Sequence, residues 1–445
     1  MTTEGTSGPR PASERAAEQR RRRAAGTNGE REGPSRSAPP VAARPKPKVY
    51  PIKFDPGRVD PDAAKVVHRL ARNGYEAYLV GGCVRDLLIN RSPKDFDVAT
   101  SARPDDVRRL FRNSRIIGRR FRLVHVLFSG GKVIETATFR RNPLPTEPRP
   151  DEDLLIRNDN VFGEAHEDAQ RRDFTINGLF YDLEECQVID WVEGMPDIER
   201  RSVDTIGDPV VRFLEDPVRI LRAIKFSARL DLGIAPDVFD AVVQCRGALA
   251  MAAKPRLFEE MLRLMRGGAA HRSIWLAWET GVLDVLLPEL STYLSDEGPE
   301  SSPAWQILRA VDRRTGENSE PLDDIVLWCA LLLYPMSEAC DGARDRVQAA
   351  VEFLEPVVDR LNVPRRIADA VRRIVALFPR LATGRAARFS RSSLYPLALE
   401  VFELMGDATP RGDDQNDTEP SSARPRPRKR RRGRRKRRTE AGSSP

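Results

Sequence analysis

The stretch YLVGGCVRD (residues 78–86), together with DFD (residues 95–97), decides the fold of this 445-residue chain. Apolar residues over Tyr75–Val80 predict a buried strand, which two glycines interrupt before a short helix over Val84–Ile89. Because glycine has no Cβ, the backbone at Gly81-Gly82 can approach a ligand closely. N–H groups at the start of the following helix suit phosphate oxygens, and Arg85 adds a fork of donors for a triphosphate. These residues predict a phosphate-binding turn, although paired glycines also occur in simple turns.

Two carboxylates follow this turn. We predict a strand over Asp95–Val98, in which residues two apart point to the same face. Asp95 and Asp97 would then project side by side, with Phe96 and Val98 on the buried face. Adjacent carboxylates repel each other unless a cation lies between them, and Mg²⁺ is typically held by one or two carboxylates plus substrate phosphates. A solvated strand edge is the alternative interpretation.

A third acidic residue, Glu135, lies in VIETATF (residues 133–139), a run of otherwise apolar or β-branched side chains. A carboxylate in such a strand costs burial energy unless it meets a cation or a donor. Three acids on adjacent strands would form a two-metal site that aligns an attacking oxygen with a leaving oxygen. An edge-strand salt bridge is the alternative role for Glu135.

The surrounding patterns predict a small mixed α/β domain followed by helices. Asp60-Pro61 is typical of a helix start, and Ser129-Gly130-Gly131 is typical of a hairpin between two strands. From residue 210 onward the strand signal almost disappears, and stripes of Leu and Met at helical spacing predict helix–helix packing. Residues 141–165 are rich in Pro, Asp and Asn, which predicts a long mobile loop.

The net charge of +8 is distributed unevenly. Residues 1–48 carry 11 basic and 5 acidic residues, residues 424–445 carry 12 basic and 1 acidic, and the segment between them has a net charge of −9. Few large apolar side chains occur at either end, so we predict disordered tails over 1–48 and 406–445. The run RPRPRKRRRGRRKRR (424–438) suits solubility or non-specific polyanion binding. The acidic body argues against a uniformly basic protein that coats nucleic acid.

Cysteine usage and hydropathy restrict the cellular context. The five cysteines lie far apart without a C-x-x-C pair, which argues against a disulfide scaffold or a cysteine zinc site and favours a reducing compartment. The longest apolar run, Ile325–Met336, is shorter than the roughly 20 residues that span a bilayer. The first residues lack the apolar core of a signal peptide. We therefore expect a cytoplasmic protein with no membrane partner.

Two later motifs complete a family pattern: RRDFTIN (171–177) and EDPVRILR (215–222). With the glycine turn and the DFD motif, they resemble the class II nucleotidyltransferases of the polymerase-β superfamily over residues 75–230. This family includes tRNA CCA-adding enzymes and bacterial poly(A) polymerases. The stretches IIGRRFRLVHV (116–126) and DNVFG (159–163), and the basic C-terminal tail, are similar to the poly(A) polymerase branch.

The resemblance implies an α+β fold, in which a polymerase-β-like head with a mixed sheet precedes an all-α neck and body. We expect five segments: a disordered basic tail (1–48), a catalytic nucleotidyltransferase head (49–190), a helical neck that binds the nucleotide base and RNA (191–268), a helical RNA-binding body (269–405) and a disordered Arg-rich tail (406–445).

The resemblance also implies roles for individual residues. Asp95 and Asp97 are expected to hold Mg²⁺, Glu135 to complete the catalytic cluster and help to deprotonate the attacking hydroxyl, and Asp173 to be a further essential acid. The residues expected to position the nucleotide are Gly81, Gly82, Arg85, Asp86, Arg172 and Asn177. The residues expected to select the base are Asp216, Arg219 and Arg222.

The last motif can also be interpreted physically. Asp216 is a candidate helix N-cap with Pro217 at the first helical position. Asp216, Arg219 and Arg222 follow one another at intervals of three, so they lie near one helix face. For adenine, Asp216 would accept a hydrogen bond from the N6 amino group and Arg219 would donate to N1. An ordinary capped helix with ion pairs is the alternative.

These observations predict a template-independent polynucleotide adenylyltransferase that adds AMP from ATP to RNA 3′ ends. A CCA-adding enzyme acting on tRNA is the first alternative, because it shares every predicted catalytic residue. A non-catalytic RNA-binding protein with a transferase-like head is the second alternative, and the intact DFD motif argues against it.

Overall fold

The computed structural model describes residues 45–118, 122–141, 161–297, 302–317, 321–383 and 391–408. Most of both predicted tails, most of the predicted loop 141–165, and residues 119–121 of the branch motif lie outside the described residues. Lys48, which the sequence assigned to the first tail, begins a strand instead, because it pairs with Asp190. Residues 406–408, assigned to the second tail, end a helix, and Arg141, Val161, Phe162 and Ala165 of the predicted loop belong to strands or a helix. Within the described ranges, no helix combines the length and the apolar character needed to cross a membrane.

The head is built on an eight-stranded sheet, accompanied by two small strand pairs. The strands are β1 (Lys48–Tyr50), β2 (Ala77–Val80), β3 (Asp97–Thr100), β4 (Ser114–Ile117), β5 (Leu123–Leu127), β6 (Val133–Thr138), β7 (Arg140–Arg141), β8 (Val161–Phe162), β9 (Phe180–Asp182), β10 (Gln187–Asp190), β11 (Ser202–Val203) and β12 (Gly233–Ile234). The order in the large sheet is β1-β10-β9-β2-β3-β6-β5-β4. Strands β3 and β6 run parallel, whereas the other neighbours in this sheet are antiparallel.

The alternation of side chains divides the sheet into two apolar faces. The head helices are α1 (Pro61–Ala71), α2 (Gly82–Leu88), α3 (Pro104–Leu110), α4 (Ala165–Gln170) and α5 (Gly194–Arg200). Val98 and Val126 share one core with residues of α1, α2 and α3. Ala99 and Phe180 belong to a second core, which includes residues of α4. Successive strand residues thus face different helices, as the period of two requires.

The predicted helix start and hairpin are confirmed. The Asp60 side chain accepts hydrogen bonds from the N–H groups of Asp62 and Ala63, with Pro61 at the first helical position. These bonds satisfy donors that a helix N-terminus otherwise leaves unpaired. The hairpin strands β5 and β6 pair antiparallel on either side of the Ser129–Gly131 turn.

The remainder of the chain is almost entirely helical. The helices are α6 (Pro209–Glu215), α7 (Val218–Leu230), α8 (Pro236–Cys245), α9 (Lys254–Met265), α10 (Ala270–Glu279), α11 (Val282–Leu286), α12 (Pro288–Glu297), α13 (Pro303–Glu317), α14 (Asp324–Ala339), α15 (Arg346–Leu361), α16 (Arg365–Ala382) and α17 (Tyr395–Ala408). Leu221 and Ile224 of α7 and Leu257 and Met261 of α9 are buried in one large core. The predicted packing role of the Leu and Met stripes is therefore confirmed.

Candidate active site

Two acidic side chains lie on the neighbouring parallel strands of the head sheet. Asp97 is the first residue of β3, Glu135 lies in β6, and the next residues along each strand, Val98 and Thr136, are directly opposite each other. Val98 and Thr136 are buried, whereas Asp97 and Glu135 are exposed. Both carboxylates therefore project from the sheet face opposite α1 and α3. The fold brings together two predicted catalytic acids from separate parts of the sequence.

Asp97 lies close to the negative charges of Glu135 and Asp95. Part of the Asp97 carboxyl is nevertheless surrounded by protein, and this partial burial, together with repulsion from Glu135 and Asp95, raises its pKa to about 6, while Arg172 opposes this shift. A cation that replaces the bound proton would relieve the repulsion between these carboxylates. Among the described residues, no three His, Cys, Asp or Glu side chains form a complete metal site. A cation here would need further ligands from a substrate or from water.

Asp95 is placed differently from the prediction. Strand β3 begins at Asp97, which pairs with Val80, the last residue of β2. Residues before Asp97 have no partner strand, because the chain turns at Gly81, so the predicted strand start at Asp95 is wrong. Phe96 and Val98 are both buried, as predicted. Asp95 lies before the strand, yet it is close enough to raise the pKa of Asp97.

Glu135 has a cross-strand partner that the sequence analysis left without a role. His125 in β5 is directly opposite Glu135, and its Nε2 atom lies 3.4 Å from Oε1 of Glu135. This contact is the salt bridge considered as an alternative for Glu135, and it exists as an ion pair when His125 is protonated. The alternation of His125 with Val124 and Val126 is the sequence signal that indicates a position on the polar face.

The glycine turn directly adjoins Asp97, because Val80 precedes Gly81 and pairs with Asp97. Gly81 has φ of 72°, a conformation that side chains with a Cβ rarely adopt, and a Cβ there would lie 2.9 Å from Nη1 of Arg172. Gly82 differs, because a Cβ there would be in ordinary contact with Nη2 of Arg85 at 3.6 Å. Gly81 is thus required by the backbone, whereas the fold leaves space for a small side chain at Gly82.

Arg172 is held behind this turn by several partners. Its Nε and Nη2 atoms donate to Oδ2 of Asp168 at 3.2 and 3.1 Å, and Nη1 donates to the carbonyl oxygen of Asn177 at 3.3 Å. Its guanidinium lies over the ring of Phe180, with Cζ 5.2 Å from the centroid. These contacts fix a positive charge that acts on Asp97. Asp168, which sequence reasoning missed, is buried and serves as the counter-ion of Arg172.

Arg85 and Asp86 are buried behind the turn and bind each other. Nε and Nη2 of Arg85 donate to Oδ1 of Asp86 at 2.8 and 2.6 Å, and Nη1 donates to Oδ1 of Asn177 at 2.6 Å. Cζ of Arg85 lies 5.1 Å from the ring centroid of Phe226 in α7. All three nitrogens of the guanidinium have internal partners, so this geometry favours a positioning role for Arg85 over direct contact with a triphosphate.

Asp173 is a partly buried carboxylate at the junction between head and neck. It accepts hydrogen bonds from Nε of Arg222 at 2.7 Å, from Nδ2 of Asn177 at 3.0 Å and from the Phe174 N–H at 2.9 Å. Burial alone would raise its pKa, but the positive charge of Arg222 and these hydrogen bonds lower it to about 2. Asp173 is therefore ionised at neutral pH and oriented toward Arg222.

The predicted N-cap at Asp216 is wrong. Helix α7 begins at Val218 without a side-chain cap, and the Asp216 N–H donates to the carbonyl oxygen of Arg212 at the end of α6. The Asp216 carboxylate instead pairs with Arg256 of α9, whose Nη1 and Nη2 donate to its two oxygens at 3.1 and 2.9 Å. A two-point bond from a distant helix outcompetes the local cap. The sequence signal for Arg256 was the stretch RLFEEM (256–261), which is similar to the family.

Arg219, three residues after Asp216, is buried. Its Nη1 donates to Oε2 of Glu215 at 3.1 Å and to the carbonyl oxygen of Arg212 at 3.0 Å. Within the part of the chain that the structure describes, no hydrogen-bond partner binds Nη2 of Arg219. Of the three predicted base-selecting residues, Arg219 and Arg222 thus lie on α7 and Asp216 lies just before it, and each is held by a different partner.

Family models match two parts of the chain. A model described as the poly(A) polymerase head domain matches residues 77–204. A second model, described as a probable RNA and SrmB-binding site of polymerase A, matches residues 231–294. The first match includes the glycine turn, both strand carboxylates and the RRDFTIN motif.

Curated proteins and solved structures agree with these models. Poly(A) polymerase I of Escherichia coli O6:H1 is 36% identical over 385 residues, which cover 82% of each chain. Poly(A) polymerase I of Salmonella typhimurium is 36% identical over 78% of each chain. The CCA-adding enzyme of Geobacillus stearothermophilus is 37% identical over 57% of this chain and 61% of its own.

The solved structures include the Bacillus stearothermophilus CCA-adding enzyme in complex with CTP. It is similar with a TM-score of 0.54 and 26% identity, over 78% of this chain and 83% of that chain. The predicted α+β fold is therefore confirmed, and with it the family resemblance. The chain belongs to the poly(A) polymerase family of nucleotidyltransferases.

Proposed function

We propose that the chain is a template-independent polynucleotide adenylyltransferase that transfers AMP from ATP to the 3′ ends of RNA. The observation that carries this proposal is the placement of Asp97 and Glu135 on adjacent strands next to the Gly81-Gly82 turn. Acidic side chains beside a phosphate-binding turn suit nucleotidyl transfer. Similarity to poly(A) polymerase I over most of the chain supports ATP and RNA as the substrates.

The reaction requires an in-line displacement at the α-phosphorus of ATP. The RNA 3′ oxygen forms a new bond to phosphorus, the bond to the bridging oxygen of the β-phosphate breaks, and pyrophosphate leaves. We propose that Glu135 accepts the proton of the attacking hydroxyl, with His125 Nε2 3.4 Å from its Oε1 atom. Arg172, fixed by Asp168, lies behind the turn and would offset negative charge that develops on the phosphates.

The carboxylate set fits a divalent cation. Asp97 and Asp95 offer hard oxygen ligands, and partial burial together with repulsion from Glu135 and then Asp95 already disfavours ionisation of Asp97. Mg²⁺ typically takes one or two carboxylates and completes its shell with substrate phosphates and water. We propose that Asp95 and Asp97 hold it, where it would polarise the α-phosphate and lower the pKa of the attacking hydroxyl.

Base selection falls to the start of α7. Arg256 binds both oxygens of Asp216, but each carboxylate oxygen retains a second acceptor site, which can bind the N6 amino group of adenine. Nη2 of Arg219 can donate to N1. Arg222, held by Asp173, would support the same surface from the next turn. Asp216 and Arg219 therefore offer an acceptor beside a donor, which matches the edge of adenine.

RNA binding and cytoplasmic location complete the proposal. The match of residues 231–294 to a probable RNA-binding model supports RNA contacts on helices α8 to α12, at the end of the neck and the start of the body. All five cysteines are free thiols, which is typical of proteins in a reducing compartment.

The test is a primer-extension assay with a short generic RNA and ATP. A ladder of added A residues that is lost in Asp97→Ala is the expected result. A requirement for CTP, with addition confined to truncated tRNA, would instead show a CCA-adding enzyme. Equal absence of turnover in wild type and Asp97→Ala would favour the non-catalytic alternative.

A further inference from the structure

A second cavity lies on the back of the head, away from the carboxylates. It has a volume of about 680 Å³, which is within the range of small-molecule binding pockets. Its walls come from α1, from the end of α3 with the loop that follows, and from β5. The lining residues are Lys65, Arg69, Arg109, Leu110, Phe111, Arg112, Asn113, Val126, Leu127 and Phe128.

The lining is strongly basic. It contains four cationic side chains and no carboxylate. Lys65 binds Asp62 at 2.8 Å and Arg109 binds Asp106, so those two charges are partly balanced at the rim. Arg69 and Arg112 have no ion-pair partner in the described portion of the chain. This cavity, defined by its lining residues above and named here the basic cavity, thus presents uncompensated positive charge to a ligand.

Aromatic rings lie among these cations. Phe111 is buried and Phe128 is half-buried, and Cζ of Arg69 lies 5.1 Å from the ring centroid of Phe111. A guanidinium held against a ring presents a flat surface on which a nucleic-acid base can stack. Aromatic rings and arginines combined in a groove are typical of single-stranded nucleic-acid binding.

The basic cavity is separated from the active site by the sheet. Val126 lines it and belongs to the core of α1 and α3, whereas the adjacent His125 faces Glu135 on the other side. Strand β4, which follows the loop at Arg112, forms the edge of the sheet, and Arg115 in β4 is exposed. A strand of RNA that crosses this edge would pass from the carboxylate face to the basic cavity.

We propose that the basic cavity binds a nucleotide of single-stranded RNA upstream of the reacting 3′ end. This inference rests on the proposed function, because it takes RNA as the substrate. The cations come from two helices and a loop around an open cavity, which suits a backbone that passes through. Phosphates of the RNA would pair with Arg69 and Arg112, and a base would stack near Phe111 and Phe128.

The test compares two double variants with the same change in net charge. Arg69→Glu/Arg112→Glu alters the basic cavity. The control, Arg72→Glu/Arg108→Glu, alters two exposed arginines that do not line the basic cavity. Arg72 directly follows α1, and Arg108 lies on α3. Binding of labelled oligo(A) of about 6 and about 30 nucleotides is measured by fluorescence anisotropy without ATP over a range of salt concentrations.

We expect the cavity variant to bind the long RNA about tenfold more weakly than the control variant, with a salt slope smaller by about 1.4 for two lost phosphate contacts. Both variants should bind the short RNA equally, because it fills the active cleft without reaching the cavity. An equal loss in both variants, or no loss in the cavity variant, would overturn the proposal. Arg112→Gln is a smaller change. Because Arg112 has no ion-pair partner among the described residues, we expect this variant to keep the fold intact.

A free nucleotide, which carries the same phosphate and base as RNA, is the other candidate ligand of the basic cavity. Calorimetric titration of AMP into the wild type and the cavity variant distinguishes the two ligands. A loss of AMP binding without a loss of long-RNA binding would overturn the RNA assignment. Extension of the short RNA by wild type is measured separately. Its absence would refute the proposed activity, whereas the binding comparison would still decide the role of the cavity.

Discussion

The ionised carboxylate of Asp97 favours cation binding and, without a cation, lowers the stability of the folded chain. Its raised pKa means that the folded chain holds this proton more tightly than the unfolded chain does. The bound proton stabilises the folded chain fully below the ordinary pKa of 3.8. This contribution to the free energy of unfolding is lost as the pH rises through about 6. At neutral pH the ionised carboxylate therefore weakens the fold unless a cation binds.

Asp97→Asn should separate these effects. The neutral amide resembles the protonated acid, so in EDTA the variant should match the wild-type melting temperature near pH 4 and exceed it near pH 7. AMP transfer should fall by about 10³-fold, because a cation ligand is lost. Thermal unfolding across this pH range and primer extension measure the two effects. A variant that melts below wild type at pH 7 would contradict this account of Asp97.

The two glycines of the turn should respond differently to the same substitution. Gly81→Ala places a side chain at φ of 72° and against Arg172, so we expect a loss of about 1–3 kcal/mol in the free energy of unfolding. Gly82→Ala has space for its Cβ and should fold normally, with an increase in KM for ATP if the triphosphate approaches the backbone there. Denaturant unfolding and steady-state kinetics distinguish the two. Equal stability losses would show that the conformation at Gly81 is not the constraint.

At the scale of elements, Arg256 of helix α9 holds the carboxylate of Asp216, which lies just before α7. We expect Arg256→Gln to lower kcat/KM for ATP by about tenfold, because the freed Asp216 carboxylate can rotate away from the N6 group. Incorporation of CTP should change much less, which reduces the preference for ATP. Arg263→Gln on the same helix, whose partners are Glu259 and Glu260, serves as the control. A parallel fall for ATP and CTP would assign Arg256 a purely structural role.

The elements also show what the sequence could predict. Strong local signals, such as the Asp60 cap, the β5–β6 hairpin and the apolar stripes of α7 and α9, were interpreted correctly. Strands β9 and β10 were not predicted, because they are three and four residues long and depend on pairing with β2 and β1. The strand start at Asp95 and the cap at Asp216 failed because distant partners decide them: the end of β2 and the side chain of Arg256.

Within the site, motif residues could be named from the sequence, but their partners could not. Residue type and spacing predicted a cation site at Asp95, Asp97 and Glu135, and that role stays a prediction. The internal pairing of Arg85 with Asp86 and Asn177, and that of Asp173 with Arg222, depends on how head and neck pack. No local pattern contains that information, so the roles of these residues stay predictions for mutagenesis.

At the scale of the whole molecule, positive charge is concentrated at the ends of the chain, beyond the described residues. Deleting residues 424–445 removes 12 basic side chains. We expect weaker RNA binding and a smaller salt dependence, with the rate of AMP transfer at saturating RNA largely unchanged. Anisotropy titrations at several salt concentrations measure this effect. An unchanged salt slope would show that the tail does not contact RNA.

The bonds around Asn177 have a consequence for how the enzyme can move. Asp86, Arg85, Asn177, Asp173, Arg222 and Glu260 form a continuous series of hydrogen bonds and ion pairs from α2 in the head to α9. Opening the molecule between head and neck would break the contact of Asp173 with Arg222, and each partly buried charge left without its partner would be costly. The head, α7 and α9 should therefore behave as one rigid body around the nucleotide. We therefore expect movement that admits a lengthening RNA to occur further along the chain, beyond Met265.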